Sequence, residues 1–463
     1  MIPVSCGEIG DAVRGELVGV DPTAVVDGAV VIDSRDAGPG GLFVALPGER
    51  ADGHDFVGSA TAAGVTVSFT TRPVEGSPCI VVDDTQQALG NLARLVMSKL
   101  PMLTVIGLTG STGKTSTKDL IGQLIRPYGE TVSPEGSFNN EIGHPLTALR
   151  ATASTQYLVA EMGARHRGDI TYLSGITPPR IGLVLNVGTS HIGEFGSQDN
   201  IAVAKGELIE AVTTGGTAVL NADDHRVAGM RSRTKEKVLT FGEAPEADVR
   251  AADVKLDAEG RPAFTLHIGE FSGAVQLRLI GEHHVSNALA AAAVALAAGL
   301  TPEQIADGLN AATRVSAARM ELTERADGVT IINDAFNANP DSTRAALKSL
   351  VAIGRSRGAR TWAVLGEMLE LGDTSAEEHD AIGRLAVRLD VNRLLVVGEG
   401  AKPIHLGASL EGSWGNESAF VATIPEALEL LRSELRAGDV VLVKSSKAAK
   451  LRSLADALLE ADR

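Results

Sequence analysis

The chain has 463 residues, of which 44% are apolar and only 3% aromatic, and its formal net charge is −16. This length predicts two to four domains, and the apolar fraction is sufficient for several packed cores. A chain this acidic lacks the excess of basic residues that binds a phosphate backbone, so we do not expect nucleic acid as a partner. The two cysteines, Cys6 and Cys79, indicate neither a disulfide framework nor a zinc site.

Targeting and membrane signals are absent from the sequence pattern. Residues 1–11 lack the basic start and apolar stretch of a signal peptide. The longest apolar run, Ala288–Leu300, is Ala-rich and shorter than the roughly 20 residues that a membrane span needs. We therefore expect a buried helix there, no membrane insertion and a cytoplasmic protein. We also expect the protein to act as a monomer.

The first segment, residues 1–98, alternates short apolar runs with Gly- and Asp-rich turns. Short apolar runs bounded by turn-forming residues are typical of buried strands. We expect a small α/β domain with strands at Leu42–Leu46, Val65–Phe69 and Ile80–Val82.

The second segment, residues 99–312, opens on an apolar strand pattern at Leu103–Leu108, which a Gly-rich turn follows. A helix is predicted next, since four residues share the i, i+3, i+4 and i+7 spacing of one helical face: Thr117, Leu120, Ile121 and Leu124. Further candidate strands are Tyr157–Ala160, Ile181–Val187 and Ala218–Leu220. Strands that alternate with helices predict a mostly parallel, doubly wound sheet.

The third segment, residues 313–463, repeats this alternation of strands and helical stretches. Its candidate strands are Val329–Ile332, Trp362–Leu365, Leu394–Val397 and Val440–Val443. The pattern predicts a C-terminal, Rossmann-like α/β domain with an open sheet.

Residues 110–115 read Gly-Ser-Thr-Gly-Lys-Thr and lie where the predicted strand turns into the predicted helix. Glycines let backbone N–H groups wrap a phosphate, and a helix N-terminus adds positive potential. Lys114 is placed to reach the β and γ phosphates of ATP, and Thr115 to bind Mg²⁺. A standard P-loop has its first glycine where this chain has Leu108, so this loop is a shortened variant. The predicted ATP-binding residues are Gly110, Ser111, Thr112, Gly113, Lys114, Thr115 and Ser116.

Three further polar side chains come after this loop in the sequence. Glu161 ends the strand 157–160, His191 follows the strand 181–187, and Lys205 lies on a predicted helix. Ligands of open parallel sheets gather at the carboxyl ends of the strands. Each residue taken alone is more often structural or solvated, but their order after a phosphate loop favours a shared site.

Thr109–Thr117, Asn186–Gly193 and Ala204–Glu207 together resemble the Mur ligase family, with Thr112 where that family usually has Asn. The resemblance implies ATP and two Mg²⁺ ions, one held by Thr115 and Glu161 and the other by His191. It also implies that Lys205 is carbamylated and positions the second ion, because a carbamate offers a hard cation an anionic oxygen. A carbamate forms only from the neutral amine, so the site must lower the pKa of Lys205 or trap CO₂.

Three more positions complete the nucleotide site that the resemblance implies. Asn287 belongs to an element that lies against the adenine in the family, in which His284 here replaces the usual Asn. Arg319 resembles an arginine that reaches the γ phosphate from the third domain, which suits a charge clamp completed on domain closure. Asp334 is assigned to ATP as well. The expected catalytic residues are Lys114, Lys205, His191 and Arg319.

The N-terminal segment resembles the family's UDP-binding domain. Ser34 and Arg35 precede the Gly41–Gly48 segment and are assigned to the uracil or phosphate of a nucleotide sugar. Asn139 and Asn140, in the central segment, are also predicted to bind substrate.

The segment Asp334–Ser342 resembles the Mur ligase that adds a dipeptide. The relative that adds diaminopimelate typically carries an Asn-Pro-Arg sequence, which this chain lacks. We assign Asn337, Asn339 and Asp341 to the dipeptide, and we expect Asp341 or Ser342 to lie near the N-cap of the following helix.

The resemblance covers nearly the whole chain and implies an ATP-dependent ligase of peptidoglycan synthesis. It would join D-alanyl-D-alanine to UDP-N-acetylmuramoyl-tripeptide through an acyl-phosphate. A ligase that adds the third, diamino acid to the UDP-muramyl dipeptide is the nearest alternative. A folate polyglutamate ligase would leave the first domain unexplained. A kinase, a regulatory NTPase and a non-catalytic nucleotide-binding module are the alternatives from other classes.

Overall fold

The computed structural model describes residues 1–48, 51–412 and 417–460, which form three α/β domains in chain order. The N-terminal domain contains β1 (Val4–Ser5), α1 (Cys6–Val13), β2 (Glu16–Val18), β3 (Val25–Val26), β4 (Val30–Val31), β5 (Leu42–Val44), α2 (Val57–Ala62), β6 (Val67–Thr70), β7 (Cys79–Val81) and α3 (Thr85–Ser98). Its five-stranded sheet has the order β2-β7-β6-β5-β4 and is parallel except for the β2–β7 pair. All three predicted strands of this segment are confirmed within a few residues.

The central domain begins with β8 (Thr104–Thr109), α4 (Lys114–Ile125), β9 (Thr131–Val132), α5 (Gly143–Ala148), β10 (Tyr157–Glu161), α6 (Asp169–Ile176), β11 (Ile181–Val184), α7 (Ile192–Phe195) and α8 (Gln198–Glu210). It continues with β12 (Thr217–Asn221), α9 (His225–Ala228), β13 (Lys237–Gly242), β14 (Val249–Leu256), β15 (Pro262–Ile268), β16 (Phe271–Gln276), α10 (His284–Ala297) and α11 (Pro302–Ala311).

The nine central strands form one sheet of order β16-β15-β14-β13-β12-β11-β8-β10-β9. The strands from β9 to β14 in that order run parallel, as predicted. The sheet then continues into an antiparallel extension, β14-β15-β16, which the sequence patterns did not predict. Helix α10 is buried along most of its length against α4, because its Ala side chains allow close approach. The expected buried helix is thereby confirmed.

The C-terminal domain contains β17 (Glu321–Glu324), β18 (Thr330–Asn333), α12 (Pro340–Arg357), β19 (Thr361–Leu365), α13 (Ser375–Arg388), β20 (Arg393–Val397), α14 (Lys402–Glu411), β21 (Ser418–Val421), α15 (Ile424–Glu434), β22 (Val440–Lys444) and α16 (Leu451–Glu460). Its sheet has the order β17-β18-β22-β19-β20-β21, and only β17 is antiparallel. This open parallel sheet agrees with the predicted Rossmann-like domain.

Packing between the domains determines where a site can form. Helix α3 of the N-terminal domain packs against α5 and α6 of the central domain, so the two domains share one apolar core. The C-terminal domain meets the central domain at the carboxyl end of the central sheet, beside the loops that follow β8, β10 and β11. Within the described residues, no helix combines the length and apolarity that a bilayer crossing requires.

Candidate active site

All three domains line one large cavity of about 1080 Å³ at the carboxyl end of the central sheet. The N-terminal domain contributes the start of α3, and the central domain contributes the loops after β8, β10 and β11. The C-terminal domain contributes the segments that follow β18 and β22 and the loop between β19 and α13. The cavity therefore has the position at which open α/β sheets bind ligands.

The loop after β8 is held in shape by the side chain of Asn186, which lies in the loop after β11 and bonds to the backbone of the first loop. Asn186 Oδ1 accepts hydrogen bonds from the backbone N–H groups of Ser111 and Thr112, at 3.0 and 2.9 Å. Its Nδ2 donates to the carbonyl of Thr112 at 3.2 Å. Gly113 has a φ of 79°, a left-handed conformation that favours glycine, and it immediately precedes helix α4. This arrangement presents a rigid loop and a helix N-terminus to the cavity.

Lys114 and Thr115 are the first two residues of α4 and lie at this loop. Lys114 Nζ donates to the carbonyl of Gly110 at 2.7 Å, so the ammonium lies over the loop. Burial lowers the pKa of Lys114, with Arg319 acting in the same direction and Glu161 opposing it. Thr115 Oγ1 donates to Glu161 Oε2 at 3.0 Å.

Glu161 reaches Thr115 because strands β8 and β10 are parallel neighbours. Their register places Glu161 beside Leu108, two residues before Gly110. The other carboxylate oxygen, Oε1, accepts hydrogen bonds from Ser137 Oγ and Asn139 Nδ2, both at 2.7 Å. Asn139, predicted to bind substrate, therefore contacts the predicted Mg²⁺ ligand, and sequence reasoning missed Ser137.

Lys205 lies on α8, buried, and also lines the cavity. Burial lowers the pKa of Lys205 well below its ordinary value, and the nearby Lys114 acts in the same direction. Across the described part of the chain, no carboxylate oxygen lies within 4.0 Å of its Nζ. The site thus favours the neutral amine, which is the form that can react with CO₂.

His191 lines the cavity just before α7 and contacts the C-terminal domain. Its Nδ1 lies 2.6 Å from Glu370 Oε2, and the same carboxylate pairs with Arg165 at 3.0 Å. The His191 contact, followed by Arg165, lowers the pKa of Glu370 against the opposing effect of burial. Neither Glu370 nor Arg165 was predicted from the sequence, because the contact joins residues of separate domains.

Arg319 reaches from the start of the C-terminal domain to the phosphate loop. Its Nη2 donates to Thr115 Oγ1 at 3.1 Å, and its guanidinium carbon lies 4.1 Å from the ring centroid of Phe336. Its Nε is buried and makes no hydrogen bond to any described residue. Ala318 and Met320, on either side, have positive φ values of 54° and 48°, so local strain accompanies this placement.

The other two residues predicted to bind ATP, Asn287 and Asp334, also line the cavity. Asn287 lies against the phosphate loop, since a Cβ added to Gly113 would be 2.4 Å from Asn287 Oδ1. Its Nδ2 is 3.3 Å from Nδ1 of His284, which is buried beside His283. Asp334 Oδ2 accepts from Lys444 Nζ at 2.6 Å, which joins the ends of β18 and β22.

The three residues assigned to the dipeptide have different environments. Asn337 is exposed at the cavity, whereas Asn339 is buried and Asp341 is half-buried. Helix α12 begins close to Asp341 and Ser342, as predicted, and its N-cap is Asn339, whose Oδ1 accepts from the Ser342 N–H at 2.8 Å. Asn339 Nδ2 also donates to Ser190 Oγ at 3.2 Å, and Asp341 Oδ2 accepts from the Thr189 N–H at 3.1 Å. Two of the three therefore contact the central domain.

The N-terminal residues assigned to the nucleotide sugar do not line this cavity. Ser34 and Arg35 form a short turn in which Arg35 pairs with Asp33 at 2.5 Å, and the Arg35 side chain is 86% exposed. Asn140, by contrast, lines the cavity, and its Oδ1 accepts from the Gly143 N–H at 2.8 Å. The N-terminal domain contributes three lining residues that were not predicted: Asp84, Gln86 and Gln87.

The side chains at the loop fit a nucleotide and a divalent cation. Thr115 and Glu161 offer the hydroxyl and carboxylate oxygens that Mg²⁺ prefers. The described residues include no group of three or more His, Cys, Asp and Glu side chains that could hold a metal ion. Nucleotide-bound Mg²⁺ takes one or two carboxylates and completes its shell with phosphates and water, so the Thr115 and Glu161 oxygens fit such an ion.

Comparison with protein families and relatives identifies the family. Three models match successive parts of the chain: the catalytic domain of the Mur ligase family over residues 28–96, the Mur ligase middle domain over 108–295, and the Mur ligase glutamate ligase domain over 318–447. A relative from Mycobacterium tuberculosis, named UDP-N-acetylmuramoyl-tripeptide--D-alanyl-D-alanine ligase, is 50% identical over 504 aligned residues, covering 100% of this chain and 99% of that protein. The chain belongs to the Mur ligase family.

Solved Mur ligases share the whole architecture. MurF from Acinetobacter baumannii has a TM-score of 0.89 at 34% identity and covers 99% of both chains. MurF ligase from Thermotoga maritima, solved in complex with ADP, has a TM-score of 0.81 at 27% identity, covering 95% of this chain and 99% of its own. The three-domain fold expected of a Mur ligase is therefore confirmed.

Proposed function

We propose that this Mur ligase joins D-alanyl-D-alanine to UDP-N-acetylmuramoyl-tripeptide, with ATP as the third substrate and the UDP-muramyl pentapeptide as product. One observation carries the proposal: a single cavity combines a phosphate loop, the Thr115–Glu161 oxygen pair and the acceptor-side segment of the C-terminal domain. The relatives named for this reaction match along nearly their full length. The ADP complex of a related MurF supports the use of ATP.

The reaction needs ATP because a carboxylate oxygen is a poor leaving group. The terminal carboxylate of the tripeptide attacks the γ phosphorus, which forms an acyl-phosphate and releases ADP. The amine of the dipeptide then attacks the acyl carbon, loses a proton and expels phosphate. Lys114, at the phosphate loop, and Arg319, beside Thr115, stabilise the charge that develops on the transferred phosphoryl oxygens.

This chain would hold two Mg²⁺ ions, which would neutralise the negative charge that develops during the reaction. Thr115 and Glu161 would hold one ion, and His191 with Lys205 the other. Lys205 acts as a carbamate, which its burial and lowered pKa support. Ser137 and Asn139 keep the Glu161 carboxylate turned towards the loop.

The three substrates lie along the three domains. We place the domains at residues 1–98, 99–312 and 313–463, close to the limits of the matching family models. Ser34 and Arg35 bind the UDP end of the donor, outside the large cavity, and Asn139 and Asn140 lie along its peptide. Gly110–Ser116, Asn287 and Asp334 bind ATP, and Asn337 contacts the dipeptide. Asn339 and Asp341 shape that region through their contacts with the central domain.

The test is ADP release by the purified protein over a matrix of UDP-muramyl peptides and amine acceptors. We expect release only where UDP-muramyl tripeptide and D-alanyl-D-alanine are both present. A kinase or regulatory NTPase would release ADP without the amine, and a binding module would release none. Release with UDP-muramyl dipeptide and a single diamino acid would instead assign the preceding ligation step.

A further inference from the structure

The loop that carries His191 is held residue by residue by the C-terminal domain. The Thr189 N–H donates to Asp341 Oδ2, and Ser190 Oγ accepts from Asn339 Nδ2. His191 Nδ1 contacts Glu370 Oε2 at 2.6 Å, and the Gly193 N–H donates to the Glu370 carbonyl at 3.4 Å. We call this set of contacts, from Asn339, Asp341 and Glu370 to residues 189–193, the interdomain clasp.

Two residues of the clasp adopt an uncommon backbone conformation. His191 has a φ of 60° and Glu370 a φ of 63°, which is the left-handed region that side chains other than glycine rarely occupy. A conformation of this kind persists only where surrounding contacts determine it. The two strained residues face each other across the domain boundary, so their contact requires both domains to be docked.

The clasp leaves one side of the imidazole free. Nδ1 is buried 2.6 Å from Glu370 Oε2 without the angular geometry of a hydrogen bond, whereas Nε2 makes no hydrogen bond to any described residue and the ring lines the cavity. A carboxylate this close to Nδ1 restrains the orientation of the ring, and once it accepts the Nδ1 proton it also fixes the tautomer and makes Nε2 the ligand atom. Arg165 pairs with the same carboxylate at 3.0 Å and so restrains it from the central domain.

We propose that Glu370 is a positioning residue for His191, which orients Nε2 towards the reacting groups only when the C-terminal domain is docked. The inference rests on the proposed function for its meaning in catalysis. The C-terminal domain, which binds the amine acceptor in the proposed function, would then dock and orient His191 in the same event. The domain that binds the amine would thereby also prepare the position at which the acyl-phosphate is held.

A close backbone approach supports this coupling. A Cβ added to Gly193 would lie 2.6 Å from the backbone N of Gly372 and 3.1 Å from the carbonyl carbon of Leu371. Only glycine permits the loop of residues 188–193 to lie this close to the loop that carries Glu370. A substitution of Gly193 would therefore displace the clasp without changing any side chain that we place against the substrates.

The first test is ¹⁵N NMR of selectively histidine-labelled protein, with the His191 signal assigned by its loss in His191→Gln. In spectra recorded at alkaline pH, the wild type should show a protonated Nδ1 and a bare Nε2. Glu370→Ala should lose this preference. A matched control is Glu411→Gln, whose carboxylate pairs with Arg384 and Arg388 inside the C-terminal domain and which should leave the signal unchanged. An unchanged His191 tautomer in Glu370→Ala would overturn the proposal.

The second test uses Gly193→Ala, with Gly229→Ala as control because nothing lies within 4 Å of the Cβ there. Gly193→Ala should reproduce the altered His191 signal of Glu370→Ala, and Gly229→Ala should not. If Gly193→Ala keeps the wild-type signal, docking does not control His191 and the coupling is refuted.

Kinetics separates positioning from substrate binding. Glu370→Ala should lower kcat by about 10- to 100-fold, as for other residues that orient a metal-binding histidine, with the KM for ATP nearly unchanged. A rise in the KM for ATP by the same factor, with kcat unchanged, would contradict a positioning role. Failure of the wild type to ligate the dipeptide would reject the proposed function alone, since the NMR results do not depend on turnover.

Discussion

At the scale of single residues, Lys114 and Lys205 are two buried amines with different environments. Lys114 is held on the phosphate loop by the Gly110 carbonyl, whereas no carboxylate lies near Lys205 in the described structure. Burial lowers the pKa of both. Their local contacts therefore suit the different tasks that we propose for them: Lys114 would bind phosphate, and Lys205 would become a carbamate.

We expect Lys114→Ala to lower the rate of ADP release by at least about 10²-fold, the usual effect of removing one donor from developing charge. Lys402→Ala is the control, because the contacts of that exposed lysine with described residues, to Glu399 and the Phe420 ring, lie within its own domain. The fold is checked by circular dichroism. Near-normal ADP release from a folded Lys114→Ala would remove the residue from the mechanism.

Lys205 should make the enzyme depend on dissolved CO₂. Because burial lowers the pKa of Lys205, its amine is neutral at pH values where an exposed lysine is charged, and the neutral amine adds CO₂. We expect activity to fall after degassing and to return with bicarbonate. Lys205→Ala should have low activity that acetate partly restores and bicarbonate does not. Full activity of Lys205→Ala without any additive would refute carbamylation.

The roles of residues that lie in a short sequence motif could be predicted. The roles of residues that depend on a contact between domains could not. Lys114, Thr115 and Glu161 lie in local patterns whose strand register brings them together. No role was predicted for Glu370, because its contact is with His191, which lies far earlier in the chain and in another domain. Asn339 and Asp341 were assigned to the dipeptide, and their interdomain contacts became visible only in the folded structure.

At the scale of elements, the parallel strands were predictable because buried parallel strands are short continuous apolar runs. The antiparallel strands β14 to β16 alternate buried and exposed residues instead, and they were missed. The start of α12 was predicted only to within a few residues. Asp341, Ser342 and Asn339 are all good N-cap residues, and the capping box between Asn339 and Ser342 decides among them.

This cap gives a prediction that separates stability from function. Asn339→Ala and Thr423→Ala each remove the N-cap of a helix with a capping box, in α12 and α15 respectively. Both should lower the free energy of unfolding by about 1 kcal/mol, measured by urea denaturation. Only Asn339→Ala should also lower the rate of ligation, because its side chain contacts Ser190 at the cavity. Equal activity of the two variants would exclude a functional role for that contact.

At the scale of the whole molecule, buried histidines link folding to pH. His144 is buried between the Glu161 carbonyl and Thr177 Oγ1, and burial lowers its pKa to about 4. Burial likewise lowers the pKa of His283 to about 4. The unfolded chain therefore binds more protons than the folded chain between pH 6.5 and pH 4. The free energy of unfolding must fall as the pH falls through that window.

We expect unfolding at pH 5 to require less denaturant than at pH 7.5, with each such histidine contributing about 2 kcal/mol of the loss. His144→Gln should show a smaller loss than the wild type. His166→Gln should behave like the wild type, because its side chain is 66% exposed. A pH dependence that is the same in His144→Gln and the wild type would contradict the burial of a neutral His144.

The three domains enclose one cavity, in which we propose that a dipeptide is ligated, and identification of the product is the sharpest experiment. The purified protein is given ATP and UDP-muramyl tripeptide together with equal amounts of D-alanyl-D-alanine, diaminopimelate, L-lysine and L-glutamate, and the products are identified by mass spectrometry. A second reaction offers UDP-muramyl dipeptide in place of the tripeptide. The predicted result is the UDP-muramyl pentapeptide in the first reaction and no ligation in the second. Addition of a single diamino acid to the dipeptide, without addition of D-alanyl-D-alanine to the tripeptide, would contradict the account.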